Sequence, residues 1–503
     1  MSEENVPHET NRNNQEEHQL RRPCTLNLPS SVPAHWKFTF QYAVPFTKLP
    51  ALKRVALGIR NTAKTILVSI HVDSIDTHVY CSTDGSGIGQ SSSFESSSDA
   101  NFLTHLMAKK LRNHCKKLNF HLKVSADLED SILQIARDVS TEVTTLCVQC
   151  KQPLGCIVAR PVACSLQCQT RYDEWPTETR LSPLLREPSV IDLLLTCLTA
   201  QLRAHTIGPD VPRWWASVFP PLIKMPFPLY DMLKTIDSFP PMRPDITYAD
   251  LINIHGGFSW YKRREVLKWL CSTFRGMIVP TPPSDKVKFD MSLPRPMRVI
   301  QASFIFLNSH PERESQFKQQ LKDHNNSTGG VAAFHGASLH NAFNILCDGA
   351  NQHRNPGGKI FYSKEPSVAA FYTWRSLSPE QSQISSQGWT NSMFKCHSMM
   401  FGLEVAEQAE FYGVDHEANS HQERLMVRHI FALSPAAEEA YRDVYGHKCW
   451  AQNQSPRPQM EETFRRIHDG RLLREVSEGQ RDHGGVLARE ETARYSLKGQ
   501  VRC

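Results

Sequence analysis

The chain lacks any apolar run long enough to cross a bilayer. Its longest strongly apolar stretch, Val190 to Leu202, is too short and too interrupted by polar residues to span one. A secretory leader is missing from the start as well: Met1 to Arg22 is polar and rich in Glu, Asn and Gln, the opposite of a charged and then apolar signal. Nor is there a long Lys/Arg block. The 57 basic residues stand against 51 acidic ones for a net charge of +6, which gives no strong nucleic-acid signal by bulk charge. These absences predict an intracellular protein, cytoplasmic or nuclear, with no membrane partner. In such a chain a disulfide scaffold is not the expected use of 14 cysteines, and metal ligation is.

What is present suffices for real cores. With 503 residues, 40% of them hydrophobic, there is room for two or three domains. Residues 1–27 carry few apolar anchors to offset ordering entropy and read as a disordered leader. Trp36 to Ser82 alternates as strands do, and Asn101 to Asn119 and Leu128 to Val139 have helical spacing, so 28–145 reads as an N-terminal α+β domain. Lys109-Lys110 and Lys116-Lys117 form a basic helix face, read as solvated or as a dock for an acidic partner. Residues 173–300 read as a helical region; Pro188 to Arg203 is its clearest helix, with Pro188 at the start and Val190, Leu193, Leu194, Cys197 and Leu198 on one face. Residues 301–435 read as a mixed or antiparallel sheet with helices, and 436–503 as a loose polar tail with short helices. The fold class expected is therefore α+β.

Between these lies a small cysteine-rich segment, 146–172. Cys147-x-x-Cys150 is followed after thirteen residues by Cys164-x-x-x-Cys168. A turn of two or three residues brings two thiolates to tetrahedral separation, and an intervening hairpin, which Pro153 and Pro161 suit, returns the second pair. Four thiolates would make a closed structural Zn²⁺ site, with Cys156 as a substitute ligand.

The most informative stretch runs from Val331 to Tyr372. A short apolar strand ends at His335-Gly336 and gives way to a turn, then to a helix with Leu339, Phe343, Ile345 and Leu346 near helical spacing and Asp348-Gly349 as its stop. A second strand, Lys359 to Ser363, precedes a helix in which Ala369 and Tyr372 share a face. Gly after His leaves no Cβ to block a flat ligand such as a planar amide.

In order and spacing this stretch resembles the catalytic core of the poly(ADP-ribose) polymerase-like ADP-ribosyltransferases. The residues carrying the resemblance are Phe334-His335-Gly336-Ala337-Ser338, Asp348-Gly349, Gly357-Gly358-Lys359-Ile360-Phe361-Tyr362-Ser363 and Tyr372. The paired cysteines upstream, Trp269 with Ile278-Val279, and Phe304 to Leu307 before Phe317 are similar to a mono-ADP-ribosylating branch with an upstream cysteine segment, and the chain resembles a fungal-type relative of it. The resemblance implies NAD⁺ as substrate, with His335 holding the adenosine ribose, Gly336 gripping the carboxamide, Ser338 nearby, and aromatic rings at Tyr372 and Phe361 sandwiching the nicotinamide. It makes 301–435 the transferase domain and implies protein substrates.

Three positions depart from that pattern. Phe361 stands where a Tyr is usual, unless the register slips and Tyr362 takes its place. Ala369 replaces a Ser that bonds the carboxamide, a loss on the order of 1 kcal/mol. The third catalytic position falls near Glu410-Phe411, in an expected strand Glu410 to Val414, with Phe411 in the preferred register, so that His335, Phe361 and Phe411 would form the catalytic set. An apolar third residue implies mono-ADP-ribosylation, or a binding module without catalysis.

Overall fold

The computed structural model describes residues 141–206, 225–253, 259–287, 300–326, 328–350, 360–375, 388–396, 398–407, 417–434 and 455–472, with residue 289, three strands between 37 and 82 and isolated helical positions between 106 and 139. The alternating stretch near the N-terminus forms an antiparallel meander of β1 (Lys37–Pro45), β2 (Thr65–Asp73) and β3 (Thr77–Ser82), with Lys37 opposite Asp73 and Val72 opposite Thr77. The described positions from 106 to 145 are helical. Of the basic face, Lys109 and Lys110 turn onto the chain itself, Lys110 pairing with Glu142 and the Lys109 ammonium lying 5.8 Å from the Trp175 ring centroid, while Lys116-Lys117 lies outside the described residues.

Six helices follow: α1 (Leu166–Tyr172), α2 (Thr177–Leu185), α3 (Pro188–Ala204), α4 (Leu229–Asp237), α5 (Tyr248–Ile252) and α6 (Ser259–Thr273). The expected helix at Pro188 is there, with Pro188 in its first turn, where a missing N–H costs nothing. It is buried all round rather than on one face. Asp192 and Thr196 reach across to the segment after Gly388: Asp192 accepts the Met393 N–H at 2.9 Å, and the Thr196 and Ser392 hydroxyls lie 2.7 Å apart. Asp192 and Thr196 are thereby satisfied, which is what lets these polar side chains enter the core.

The second half of the chain builds one seven-stranded sheet in the order β4-β5-β10-β8-β6-β7-β9, every neighbouring pair antiparallel. Its strands are β4 (Met277–Pro280), β5 (Ile300–Asn308), β6 (Val331–Ser338), β7 (Ile360–Ser363), β8 (Ser398–Val405), β9 (Glu417–Ser420) and β10 (Leu425–Leu433). Between them run α7 (Pro311–Asp323), α8 (Leu339–Asp348) and α9 (Pro366–Arg375), and α10 (Arg457–His468) follows the last strand. β8 and β10 are buried at every residue, as near-continuous apolar strings covered on both faces must be. One large core cluster takes in α3, α6, α8 and the sheet, with Trp269 of α6 stacked on Phe343 of α8 at 5.9 Å. A smaller cluster on Ala332, Phe334, Met400 and Phe431 is closed by Ala369 and Ala370 of α9 and by Met460 and Phe464 of α10.

Several elements differ from the sequence reading. β6 does not end at His335-Gly336: it continues to Ser338, with Gly336 paired to Met400, and α8 starts directly. β4 and β9 were not expected as strands; both are only four residues long, too short for a period to show. The polar stretch beyond Trp450 was expected to be loose, yet α10 docks through Met460 and Phe464, and its Arg457 and Glu461 bond the backbone O and N of Ala332 at 2.8 and 3.1 Å. Three apolar anchors, Met460, Phe464 and Ile467, in an otherwise polar helix were too sparse a signal. No described helix is long and apolar enough to cross a membrane.

Candidate functional site

The four cysteines singled out by spacing come together. The sulfurs of Cys147, Cys150, Cys164 and Cys168 all lie within 4.8 Å of one another, with Cys150 to Cys164 at 3.5 Å and Cys164 to Cys168 at 3.7 Å. Four sulfurs around a tetrahedral Zn²⁺ with bonds of about 2.3 Å sit about 3.8 Å apart, so this set could hold an ion such as zinc. Local chemistry builds it. A tight turn folds Cys147 to Cys150 back, with the Lys151 N–H on the Cys147 oxygen at 3.1 Å, Lys151 in the left-handed region at φ 62° and a bridge from Leu146 to Pro153. The second pair comes from the start of α1, where the Ser165 hydroxyl caps the Cys168 N–H at 3.3 Å. Burial raises the Cys147 thiol, but the backbone N–H groups of Cys150, Cys164 and Gln149 outweigh it and hold that thiol below its usual range. Cys156, the substitute ligand by sequence, is not in the cluster: it turns toward Glu314, and burial pushes its thiol up to about 11.

The cysteine segment is docked on its surroundings. The Ala159 N–H donates to Asn308 Oδ1 of β5 at 2.8 Å, and the Ser315 hydroxyl of α7 donates to the Leu154 oxygen at 3.3 Å. Arg160 donates to the Phe274 oxygen and lies 5.4 Å from the same residue's ring.

The second constellation sits where β6, β7 and α9 meet. His335 is half-buried in β6, opposite Phe401 of β8, and its Nδ1 lies 2.8 Å from the backbone oxygen of Phe361 in β7. A carbonyl only accepts, so Nδ1 carries the proton and Nε2 is left as the acceptor. Burial holds the imidazole below its ordinary pKa, with the Phe361 carbonyl as a smaller opposing influence, which favours the neutral form.

Gly336 is required by a close approach, but the group that comes near is protein. A Cβ there would lie 1.7 Å from the Ala369 oxygen and 3.0 Å from Thr373 Cγ2, so only glycine lets α9 lie against β6. Alternation along β7 decides between its two aromatics. Phe361 is 47% exposed, whereas Tyr362 is buried in the large core, where burial raises its hydroxyl. Tyr362 is thus a core residue. Tyr372, on α9, is 41% exposed.

Two other expected cofactor contacts turn inward. Ser338 is buried; its hydroxyl accepts from Asn341 Nδ2 at 3.2 Å and faces His340 Nε2 at 3.2 Å. Ala369 is packed in the small core cluster with Phe334 and Met400. Phe411 lies outside the described residues, as does the whole expected strand Glu410 to Val414. The strand that pairs with β7 is β9, further along the chain, which sets Glu417 opposite Ser363 and Asn419 opposite Phe361.

A buried charge cluster was missed by the sequence reading. Arg428 of β10, with no exposed side-chain surface, donates Nε to Glu404 Oε2 at 2.8 Å and its two Nη groups to Glu314 of α7 at 2.9 and 3.1 Å. His468, the last residue of α10, lies 2.6 Å from Glu404 Oε1, which also takes the Gly330 N–H at 2.8 Å. Burial alone would raise Glu404, but Arg428 foremost reverses it and brings it down to about 2. A single Glu in one apolar strand and a single Arg in the next were the available signal.

No protein-family model and no curated protein matches the chain.

Proposed function

We propose that the chain is an NAD⁺-dependent protein ADP-ribosyltransferase that adds single ADP-ribose units. The bond from ribose C1′ to the nicotinamide nitrogen breaks, nicotinamide leaves as the neutral amide, and an acceptor side chain forms the new bond to C1′ while losing a proton. The observation that carries this reading is the bond from His335 Nδ1 to the Phe361 oxygen, which fixes one ring nitrogen as an acceptor beside an exposed aromatic. An acceptor nitrogen suits a ribose hydroxyl, and the Phe361 and Tyr372 rings suit a flat cationic nicotinamide. Preorganised contacts of this kind lower the barrier when they are stronger to the oxocarbenium-like transition state than to the bound ground state. The four-cysteine centre holds structural zinc in this account.

A second reading is a binding module without turnover. Ala369 and Ser338 favour it, since neither supplies a free hydroxyl to a bound amide. Titration of the full chain with NAD⁺ and with nicotinamide for binding, with nicotinamide release followed on NAD⁺, separates the two. The transferase reading expects binding with turnover, weakened about 10-fold or more in Phe361→Ala by loss of the ring. Binding without release of nicotinamide would favour the module, and no binding of either compound would remove both readings.

A further inference from the structure

Helices α4 and α6 turn most of their aliphatic side chains and Trp269 inward and leave Tyr230, Trp260 and Tyr261 outside. Met232 and Ile236 of α4 and Val266, Leu267 and Leu270 of α6 are in the large core. On the outward side Tyr230 is 74% exposed, Trp260 48% and Tyr261 45%. Large exposed aromatics gathered on one patch cost solvation that a fold does not need, and mark a surface that meets a partner. The rings are also furnished with cations. The Arg264 guanidinium carbon lies 5.3 Å from the Trp260 centroid and 5.4 Å from that of Tyr261, and Lys262 Nζ lies 5.6 Å from the Phe227 ring. Phe227 and Tyr261 meet edge to face at 6.5 Å, which joins the two helices into one patch.

We infer that this face binds single-stranded nucleic acid, with bases stacking on Trp260 and Tyr261 and phosphates meeting Lys262 and Arg264. Ring faces flanked by cations are what such strands require, since every base offers a π-face and every link a negative charge. Charge complementarity supports an anionic occupant: α6 carries Lys262, Arg263, Arg264 and Lys268 against Glu265 alone. Arg263 is committed inward, its Nε donating to the Ser238 hydroxyl at 2.9 Å. Among the described residues the outward cations have partly exposed carboxylate partners, Lys262 with Asp231 at 3.3 Å and Arg264 with Glu265 at 3.4 Å. Exposed pairs of this kind contribute little, so phosphates can take the carboxylates' places. An anionic membrane is the rival occupant, but among the described residues of α4 and α6 the exposed large hydrophobics are all aromatic, with no exposed aliphatic side chain to enter the acyl region. Bulk charge did not disclose this surface because the 51 acidic residues elsewhere nearly cancel the 57 basic ones.

The test is fluorescence anisotropy of labelled oligouridylate and oligothymidylate with the full chain at low salt, beside flotation with vesicles of phosphatidylcholine and phosphatidylserine. Trp260→Ala with Tyr261→Ala is expected to weaken oligonucleotide binding at least about 10-fold. Lys262→Ala with Arg264→Ala is expected to weaken it and lower its salt slope by about 1 to 2. All four substitutions sit on exposed or half-exposed positions, and unchanged thermal unfolding would confirm intact variants. Absence of oligonucleotide binding, binding indifferent to the ring substitutions, or ring-dependent binding to vesicles alone would each overturn the inference.

Discussion

His335 Nδ1 and the Phe361 backbone oxygen stand 2.8 Å apart, joining the two strands on which the proposed site rests. The bond ties the imidazole to the backbone of β7, not to a side chain, so substitutions at Phe361 leave His335 in place. Phe361→Tyr should therefore fold as the parent does, its added hydroxyl reaching solvent from a half-exposed ring. Equal thermal stability within about 0.5 kcal/mol checks this.

Because burial depresses His335, its neutral form persists below the ordinary value of 6.5. Nicotinamide release should be flat from neutral pH down to about 6.5 and decline only at lower pH, once the imidazole takes a second proton and Nε2 ceases to accept. A decline beginning well above 6.5 would assign the acceptor role to another group.

Gly336→Ala should be among the most damaging small substitutions in the chain. The added methyl meets the Ala369 oxygen at 1.7 Å, which must push α9 off β6. A loss of about 3 kcal/mol or more is expected in urea unfolding, and NAD⁺ binding should fall with it. A near-neutral effect would mean that α9 does not lie on β6 as described.

The buried cluster of Arg428, Glu404 and Glu314 predicts acid sensitivity of a definite sign. Glu404 drops from 4.5 in the unfolded chain to about 2 when folded, so its contribution is complete above about 4.5 and is lost as pH falls toward 2. That contribution is on the order of 3 kcal/mol. His429, lowered by burial and by Arg428 to about 3, acts earlier: the unfolded chain binds its proton below 6.5 while the folded chain does not, so stability already declines from pH 6.5 downward. Urea midpoints measured from pH 7 to pH 4 should fall steadily, and Arg428→Met alone should cost about 3 to 5 kcal/mol by stranding two carboxylates.

Much of this was legible in the sequence because it is local. Cysteine spacing located the metal-ligand set, Pro188 and its apolar face located α3, and Asp348-Gly349 located the end of α8, where Gly349 takes φ 78°. What was illegible depends on partners distant in the chain. Ser338 loses its hydroxyl to His340 and Asn341, Glu404 and Arg428 find each other across neighbouring strands, and α10 earns its place through Met460 and Phe464. Tyr362 was offered as a ligand in case the motif register slipped by one, and alternation alone, which puts the two neighbours on opposite faces, does not say which face looks outward.

The four-cysteine cluster, which could hold a metal ion, carries a prediction of its own. Purified full chain should carry about one zinc, and Cys164→Ser should lose it, with destabilisation of the contacts that dock the cysteine segment at Asn308 and Ser315. Elemental analysis and thermal unfolding read both effects. A variant that loses zinc without any change in unfolding would mean the centre does not support that docking.

The most direct test of the central claim is incubation of the purified chain with NAD⁺ labelled in its adenylate portion, scoring label on protein and free nicotinamide together, beside His335→Ala. The transferase account predicts both products from the parent and a loss of about 100-fold or more in the variant, the scale for removing a positioned group that acts in the transition state. Neither product from the parent at saturating NAD⁺, or equal yields from parent and variant, would contradict it.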